Sequence, residues 1–356
     1  MNNTLLSADF APLPNLAEPR WWTGTPALPP KLFTIDGDEF RVNGAPLEPS
    51  KELAERMQKT FNDVGLVHVI NTGLDKLQSM RLIATQVIKT QRDYEGGANP
   101  RKSLEANVYE VGAPLEAWLH YHHEMAYIGS STTMLGFLCH KMPSEGGYTF
   151  VSDSVQATNA ILATPFGQKL KDLGICYHRN LTDRRGFVGV PEVGVYNHWQ
   201  QSMMTEDPDE AIAEARKRGL DAEWGDNGLL KTRYTASAFE YFPQLDRNLL
   251  YSSMADDSAW FDTWPLVQHL PISDRPLKLT FGDGSEMTYD EKQLFLDVYD
   301  DYGIPIEWEV GDVALICNYR FAHGRPAVHV KEGEERELGV LIGDAFDRLQ
   351  TFDDKW

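Results

Sequence analysis

Three histidines and one glutamate lie within five positions in the segment HYHHEMAYIG, residues 120–129. Imidazole nitrogens and carboxylate oxygens are common metal ligands, so this segment is a candidate metal site. No common mononuclear site takes His120, His122, His123 and Glu124 together from one short segment. The spacing of these residues must therefore indicate which of them act together.

Three familiar metal motifs do not fit this spacing. A zinc-protease HExxH motif that begins at His123 would need a histidine at Tyr127. A binuclear HxHxDH motif would need a histidine at Met125. A cupin-like HxH followed by a more distant glutamate also fails, because Glu124 comes only two residues after His122.

The remaining pattern is H-x-E, formed by His122 and Glu124. In an extended segment these two side chains share one face of the strand and His123 points away. Joined by a distant histidine, they would form the two-His-one-carboxylate triad of non-haem Fe(II) oxygenases, which leaves coordination positions open. His323, after GDVALICNYRFA, is the best placed of the remaining histidines. Ordinary core or surface histidines would also explain an isolated H-x-E, and at this point both interpretations remain open.

Helices are predicted where apolar residues recur at helical spacing after a capping residue. One covers 51–62 after Ser50, and a second helical pattern covers 75–92. A third follows Asp207, with Pro208 at its first position and Glu210 in a capping box. A fourth starts at Thr288, and its capping box is completed by a glutamate three residues later.

Strands bounded by turns dominate the regions that carry the histidines. Buried strands are predicted at GLVHVI, TTMLGFLCH, VALIC and RELGVLIGD. The fold class is therefore mainly β with inserted helices, as an antiparallel barrel or sandwich. We expect an irregular N-terminal arm over 1–30 and a single domain over 31–356, with a helical insertion at about 205–235.

Composition narrows the classes of protein further. The net charge of −20 over 356 residues argues against a nucleic-acid partner. The sequence contains no apolar run near 18 residues and no signal-peptide pattern, so no membrane partner is expected. Three widely spaced cysteines indicate reduced thiols and a cytoplasmic location. The sequence leaves the oligomeric state open.

Four collinear motifs resemble the taurine dioxygenase (TauD/TfdA) family of Fe(II)/2-oxoglutarate enzymes, and most closely its clavaminate synthase-like branch. They are YHHEMAY, GFLCHKMPSEGGYTFVSDS, LTFGDGSEM and GDVALICNYRFAHGRPAV followed by EERELGV. The similarity runs in order from about Tyr94 to Leu338. It implies a double-stranded β-helix (a cupin-like jelly roll), and Fe(II), 2-oxoglutarate and O2 as cofactor and cosubstrates.

The resemblance also implies roles for individual residues. His122, Glu124 and His323 would bind the iron and form the catalytic centre. Thr149, in GGYT, and Arg336, in R-x-L, would bind the distal carboxylate of 2-oxoglutarate, because a planar guanidinium pairs well with a carboxylate. The expected reaction is hydroxylation or desaturation of an unactivated C–H bond, with release of succinate and CO2.

The substrate is expected to be a small polar metabolite such as an amino acid or an amine. Taurine-type members carry a second arginine four residues after the clamp, but position 340 here is Val340, which disfavours a sulfonate. Candidate substrate contacts, each with a purely structural alternative, are Asn107, Tyr109, His120 and Arg325. Two other functions remain as alternatives: a zinc-dependent hydrolase or lyase on the same His/Glu/His set, and a non-catalytic jelly-roll binding protein.

Overall fold

A computed structural model describes residues 28–94, 101–111, 115, 118–186, 197–225, 228–254, 271–349 and 351–356. Most of the predicted N-terminal arm, 1–27, lies outside the described residues. The strands are β1 (Thr34–Asp36), β2 (Leu66–Ile70), β3 (Ser103–Glu105), β4 (Val108–Glu110), β5 (Leu119–His122), β6 (Ser130–Thr132), β7 (Met134–Lys141), β8 (Thr149–Asp153), β9 (Ile175–Leu181), β10 (Asp221–Trp224), β11 (Leu230–Ala236), β12 (Phe239–Phe242), β13 (Arg247–Leu250), β14 (Leu277–Phe281), β15 (Gly303–Ile306), β16 (Val313–Cys317), β17 (Phe321–Arg325), β18 (Glu337–Ile342) and β19 (Ala345–Asp347). The helices are α1 (Lys51–Val64), α2 (Leu77–Ala84), α3 (Ser154–Leu162), α4 (Pro165–Leu173), α5 (Trp199–Met203), α6 (Pro208–Lys217) and α7 (Tyr289–Asp301).

Two sheets position the candidate site. The larger has the strand order β1-β2-β16-β7-β18-β4-β3, and the smaller has the order β15-β8-β17-β5. All their neighbouring strands are antiparallel except β1 and β2. A third, separate sheet has the strand order β10-β11-β9-β14. The predicted mainly β fold with inserted helices is confirmed.

The two sheets pack face to face through an apolar core. Buried residues of β2, β7, β16 and β18 from the larger sheet share one cluster with residues of β8, β15 and β17 from the smaller sheet. Helices α1 and α2 cover the outer face of the larger sheet through residues such as Leu53, Met57 and Ile83. Helices α3, α4 and α7 belong to a separate core with β8, β9 and β14. Burial of these apolar faces is the main source of the fold's stability.

The predicted N-terminal caps of two helices are confirmed. Ser50 caps α1 by accepting a hydrogen bond from the Leu53 amide, and Gly65 ends this helix in the left-handed conformation. Thr288 and Glu291 form the predicted capping box at the start of α7. The predicted strands over β2, β7, β16 and β18 also form.

Three local predictions differ from the structure. The helical pattern over 75–92 gives only α2, because the amides of Gln86 and Val87 bond three residues back and the chain tightens into turns. The predicted helical insertion at 205–235 contains α6 and then the strands β10 and β11, which pair in one sheet with β9. Asp207 caps α6, but the Glu210 carboxylate accepts a hydrogen bond from the Thr205 hydroxyl and forms no capping box.

Among the described residues, no helix is both long enough and apolar enough to cross a membrane.

Candidate metal centre

Strand pairing brings the two candidate histidines together. His323 lies in the middle of β17, and its direct partner across the antiparallel ladder is His122, the last residue of β5. The centroids of the two imidazole rings are 4.1 Å apart. The ladder has an irregularity between His323 and Arg325, which is typical of strands near functional sites.

Glu124 joins this pair from a turn. The strand was expected to continue through Glu124, but β5 ends at His122, and Met125 has a left-handed φ of 58°. One donor atom from each of His122, Glu124 and His323 lies within 4.8 Å of the others, and all three residues are buried. The geometry therefore brings together the three residues that the sequence singled out.

His123 faces away from these three side chains, as its position predicts. Its Nδ1 lies 3.1 Å from the Ser252 carbonyl and its Nε2 lies 3.0 Å from the Ser154 hydroxyl. Both ring nitrogens are thus used by the surrounding core, which makes His123 a structural residue.

Asn318 fixes the turn that carries Glu124, and sequence reasoning missed it. The Glu124 amide donates to Asn318 Oδ1 at 2.8 Å, and Asn318 Nδ2 donates to the carbonyls of Glu124 and Thr132 at 3.1 and 2.8 Å. Asn318 is fully buried and directly follows β16. A polar residue at the end of a buried strand, five residues before His323, was the available signal.

Burial keeps the imidazoles of this region neutral. It lowers the pKa of His122 and, together with the neighbouring His122, lowers the pKa of His323 well below the ordinary value. The same cause lowers the pKa of His120 to about 4 and that of His123 to about 3. Metal ligation requires a neutral imidazole, so His122 and His323 are ready to bind a cation at neutral pH.

The donor set fits a divalent transition metal. His122 Nδ1 lies 2.8 Å from the His120 carbonyl, and a hydrogen bond there leaves Nε2 without a proton and free to coordinate. His323 Nε2 lies 3.9 Å from a Glu124 carboxylate oxygen, which is too long for a hydrogen bond. Two imidazole nitrogens and one carboxylate oxygen are the ligands of a facial triad.

Thr149 and Arg336 are connected through the GGYT segment: Thr149 is its last residue, and Arg336 bonds to its Gly147. Thr149 is the buried first residue of β8, and its hydroxyl accepts a hydrogen bond from Trp308 Nε1 at 3.0 Å. Arg336 is buried and donates through Nε to the carbonyl of Gly147 at 3.1 Å. Burial lowers the pKa of Arg336 to about 10, so the guanidinium remains charged at neutral pH.

Phe137 lies between Trp308, the partner of Thr149, and His323. Its ring lies 6.4 Å from that of Trp308 and 5.5 Å from that of His323. The GGYT segment and the candidate metal ligands thus border the same part of the core.

Two of the four candidate substrate residues lie on the β3–β4 hairpin. Asn107 occupies its turn with a left-handed φ of 57°, which explains an asparagine there without a ligand. Tyr109 donates a hydrogen bond from its hydroxyl to Asp93 at 2.9 Å, and its ring lies 6.1 Å from that of Tyr94. The cluster of candidate ligands, His122, Glu124 and His323, includes neither residue.

The other two candidates are buried beside the site. His120 packs near Trp118, with ring centroids 6.3 Å apart, and reaches His122 through its backbone carbonyl. Arg325 donates to the carbonyls of Leu115 and Pro326 at 2.9 and 3.1 Å, so it holds the neighbouring loop.

Arg101 contacts the candidate site directly, and sequence reasoning missed it. Its Nη2 donates to both carboxylate oxygens of Glu124, at 3.0 and 2.9 Å. The guanidinium carbon lies 4.1 Å from the centroid of the Tyr94 ring. Burial is the largest single influence on the pKa of Arg101 and acts to lower it, but the Glu124 carboxylate together with Tyr94 and Tyr127 raises that pKa overall.

A buried His/Glu/His cluster between β-sheets defines a candidate mononuclear metal protein. The family model of the taurine catabolism dioxygenase TauD, TfdA family matches residues 28–341. The chain therefore belongs to this family, and its class is that of the Fe(II)- and 2-oxoglutarate-dependent dioxygenases.

One relative bears the clavaminate synthase-like name, and two solved structures show a distant likeness in fold. A clavaminate synthase-like protein from Arabidopsis thaliana is 29% identical over 237 residues, which cover 65% of this chain and 68% of the relative. A taurine dioxygenase from Burkholderia xenovorans gives a TM-score of 0.48 at 14% identity, and the match covers 88% of this chain and 86% of the taurine dioxygenase chain. The PvcB protein from Pseudomonas aeruginosa gives a TM-score of 0.48 at 14% identity, and the match covers 90% of this chain and 91% of the PvcB chain.

Proposed function

We propose that the protein oxidises an unactivated C–H bond of a small polar metabolite, by hydroxylation or desaturation, with 2-oxoglutarate and O2 as cosubstrates. In hydroxylation, one atom of O2 enters the substrate and the other enters succinate, and 2-oxoglutarate loses CO2. The observation that carries the proposal is the convergence of His122, Glu124 and His323 in one buried cluster.

These three residues would hold Fe(II) through two neutral imidazoles and one carboxylate. Such a set occupies one face of the ion and leaves adjacent positions open for cosubstrates. When bound, the iron supplies O2 activation coupled to decarboxylation of 2-oxoglutarate. The protein's own part is to orient the ligands: β5 and β17 fix the imidazoles, and Asn318 fixes the turn of Glu124.

Thr149 and Arg336 would bind the distal carboxylate of 2-oxoglutarate. The Arg336 bond to Gly147 uses Nε–H, so the paired terminal nitrogens can still engage a carboxylate. Gly147 belongs to the same GGYT segment as Thr149, so a ligand held by the arginine would lie close to the threonine. Burial of Arg336 strengthens such a charged pair by excluding water.

The architecture supports the double-stranded β-helix that the resemblance implies. The face-to-face sheets would be its two halves, with the two candidate histidines on the neighbouring strands β5 and β17 of the smaller sheet. Residues 31–356 would form one domain. The three cysteines are buried free thiols, which fits the expected cytoplasmic location.

Position 340 bears on the substrate. Val340 lies on β18 and is buried in the apolar cluster between the sheets. It offers no positive charge for a sulfonate, which supports a substrate other than taurine.

The alternatives account for fewer observations. A zinc hydrolase or lyase could use His122, Glu124 and His323, but it would have no need of a buried Arg336 next to the GGYT segment. A non-catalytic binding protein would have no need of the neutral, converging imidazoles. Family membership also favours the oxygenase.

Anaerobic addition of Fe(II) and 2-oxoglutarate to the purified protein tests the proposal. We expect a weak visible charge-transfer band in the wild type that is absent in His122→Ala. A matched control is His329→Ala, because His329 is an exposed residue outside the cluster. A wild-type protein without the band would reject the proposed function.

A further inference from the structure

Arg101 is a buried cation whose partner in this structure is the Glu124 carboxylate. Its side chain is 10% exposed, and that of Glu124 is 4% exposed. Only Nη2 takes part in the pair, and Nε and Nη1 are buried with no hydrogen-bond partner among the described residues. Nε carries one N–H and Nη1 carries two, so three donors lack an acceptor.

A metal ion at the cluster would compete with Arg101 for the same carboxylate. The oxygen of Glu124 that lies 2.9 Å from Arg101 Nη2 also lies 3.9 Å from His323 Nε2, on the side where the candidate ligands converge. A divalent cation bound there would draw the carboxylate oxygens toward itself. It would also repel the guanidinium across a short, poorly screened distance.

Arg101 could not easily remain buried without an anion. A guanidinium removed from water is strongly unfavourable unless it is paired and hydrogen-bonded. The Tyr94 ring stabilises the cation from one face at 4.1 Å but provides no acceptor for the N–H groups. A ligand that brings a carboxylate would supply that acceptor.

We propose that Arg101 is the residue that recognises the substrate, and that it binds a carboxylate group of the substrate once the metal has taken Glu124. The proposal rests on the proposed function and names its substrate class: a small carboxylic acid, such as an amino acid. The planar guanidinium suits a carboxylate, as its contact with both oxygens of Glu124 illustrates. Glu124 thus occupies in the metal-free protein the place that the substrate carboxylate takes in the loaded protein.

Metal affinity gives the first test, and it requires no substrate. Mn(II) binding to the metal-free protein would be followed by the EPR signal of free Mn(II) in wild type and Arg101→Gln. We expect about tenfold tighter binding in the variant, because the competing guanidinium is gone. Weaker binding in Arg101→Gln would mean that Arg101 supports Glu124 on the metal, and it would overturn the proposal.

Substrate selectivity gives the second test. Amino acids and their decarboxylated amines would be titrated as matched pairs into the anaerobic Fe(II)–2-oxoglutarate complex, with the shift of the visible band as the measure of binding. We expect the carboxylate member of a pair to bind, and to bind at least tenfold more weakly to Arg101→Gln, with an intermediate loss in Arg101→Lys. The control is Arg320→Gln, which removes another guanidinium–carboxylate pair, with Asp153.

The outcomes separate the two proposals. A wild-type protein without the band rejects the proposed function itself. A normal band that no carboxylate shifts, or that acids and amines shift equally, rejects the role of Arg101 alone. A loss of affinity that is equal in Arg101→Gln and Arg320→Gln would also reject it, because it would reflect general destabilisation.

Discussion

Replacement of Arg336 should abolish tight binding of 2-oxoglutarate and leave metal binding largely intact. The guanidinium is buried, and its bond to Gly147 uses Nε–H, so two terminal nitrogens remain for a carboxylate. A hydrogen bond to a charged group contributes about 1.5–3 kcal/mol, so a pair contributes about 3–6 kcal/mol. Arg336→Met should therefore weaken 2-oxoglutarate binding by roughly 10²- to 10⁴-fold.

The assay is an anaerobic titration of the Fe(II) protein with 2-oxoglutarate, followed by the visible band. Arg336→Lys keeps the charge but loses the paired geometry, so we expect an intermediate loss of affinity. The lost bond joins a charged guanidinium to the Gly147 carbonyl and contributes about 1.5–3 kcal/mol to folding. Removal of the buried charge offsets part of this loss, so the variant should remain folded. Arg247→Met is a matched control, since Arg247 contacts Asn159 at an exposed position. If Arg336→Met bound 2-oxoglutarate as tightly as the wild type, the assignment of this arginine would be refuted.

Three further changes test how the fold holds the site. Gly324→Ala should weaken Mn(II) binding at least tenfold, because its Cβ would lie 2.4 Å from a β5 carbonyl oxygen. The control is Gly129→Ala, whose Cβ has room and which should bind Mn(II) as the wild type does. Equal Mn(II) affinities of the two variants would contradict the expectation. Asn318→Leu leaves the buried Glu124 amide without an acceptor, so it should lower the free energy of unfolding in urea by about 1–3 kcal/mol. It should also weaken Mn(II) binding. An unchanged Mn(II) affinity would argue against the role of Asn318 in holding the Glu124 turn. The folded-state pKa of His123, about 3, lies below its unfolded value of about 6.5, so the unfolded state binds more protons and stability is lost as the pH falls from 6.5 towards 3. Between pH 6.5 and 5.5 the metal-free wild type should lose about 1 kcal/mol more of its free energy of unfolding in urea than His123→Gln does, and equal losses would refute the buried neutral imidazole.

The sequence predicted the parts of the fold that have a local cause. Ser50 and Thr288 cap helices through their own side chains, and a capping box depends on residues only three apart. The buried strands VALIC and RELGVLIGD follow from continuous apolar runs. These features are encoded within a few residues, so they can be read without the tertiary structure.

Tertiary contacts explain the predictions that failed. The helical pattern after residue 75 continues in sequence, yet the chain leaves the helix at Ala84 and places Val87 and Ile88 in the core with β7 and β16. Residues 221–236 form strands because β9 offers an edge for pairing, which no local pattern reveals.

The candidate site shows the same division. H-x-E and the distant His323 could be identified by motif, and strand pairing then brings them together. Asn318 and Arg101 could not be identified in this way. Their importance lies in hydrogen bonds to Glu124, which is 194 residues from Asn318 and 23 residues from Arg101 in the sequence. Such long-range contacts leave no periodic signal in the chain.

Anomalous diffraction from crystals grown anaerobically with Fe(II) tests the central claim most directly. Data collected on both sides of the iron absorption edge would locate the metal without reference to the ligands. We expect one strong peak in direct contact with a nitrogen of His122, a nitrogen of His323 and the Glu124 carboxylate. A peak elsewhere, or one from which His323 points away, would contradict it.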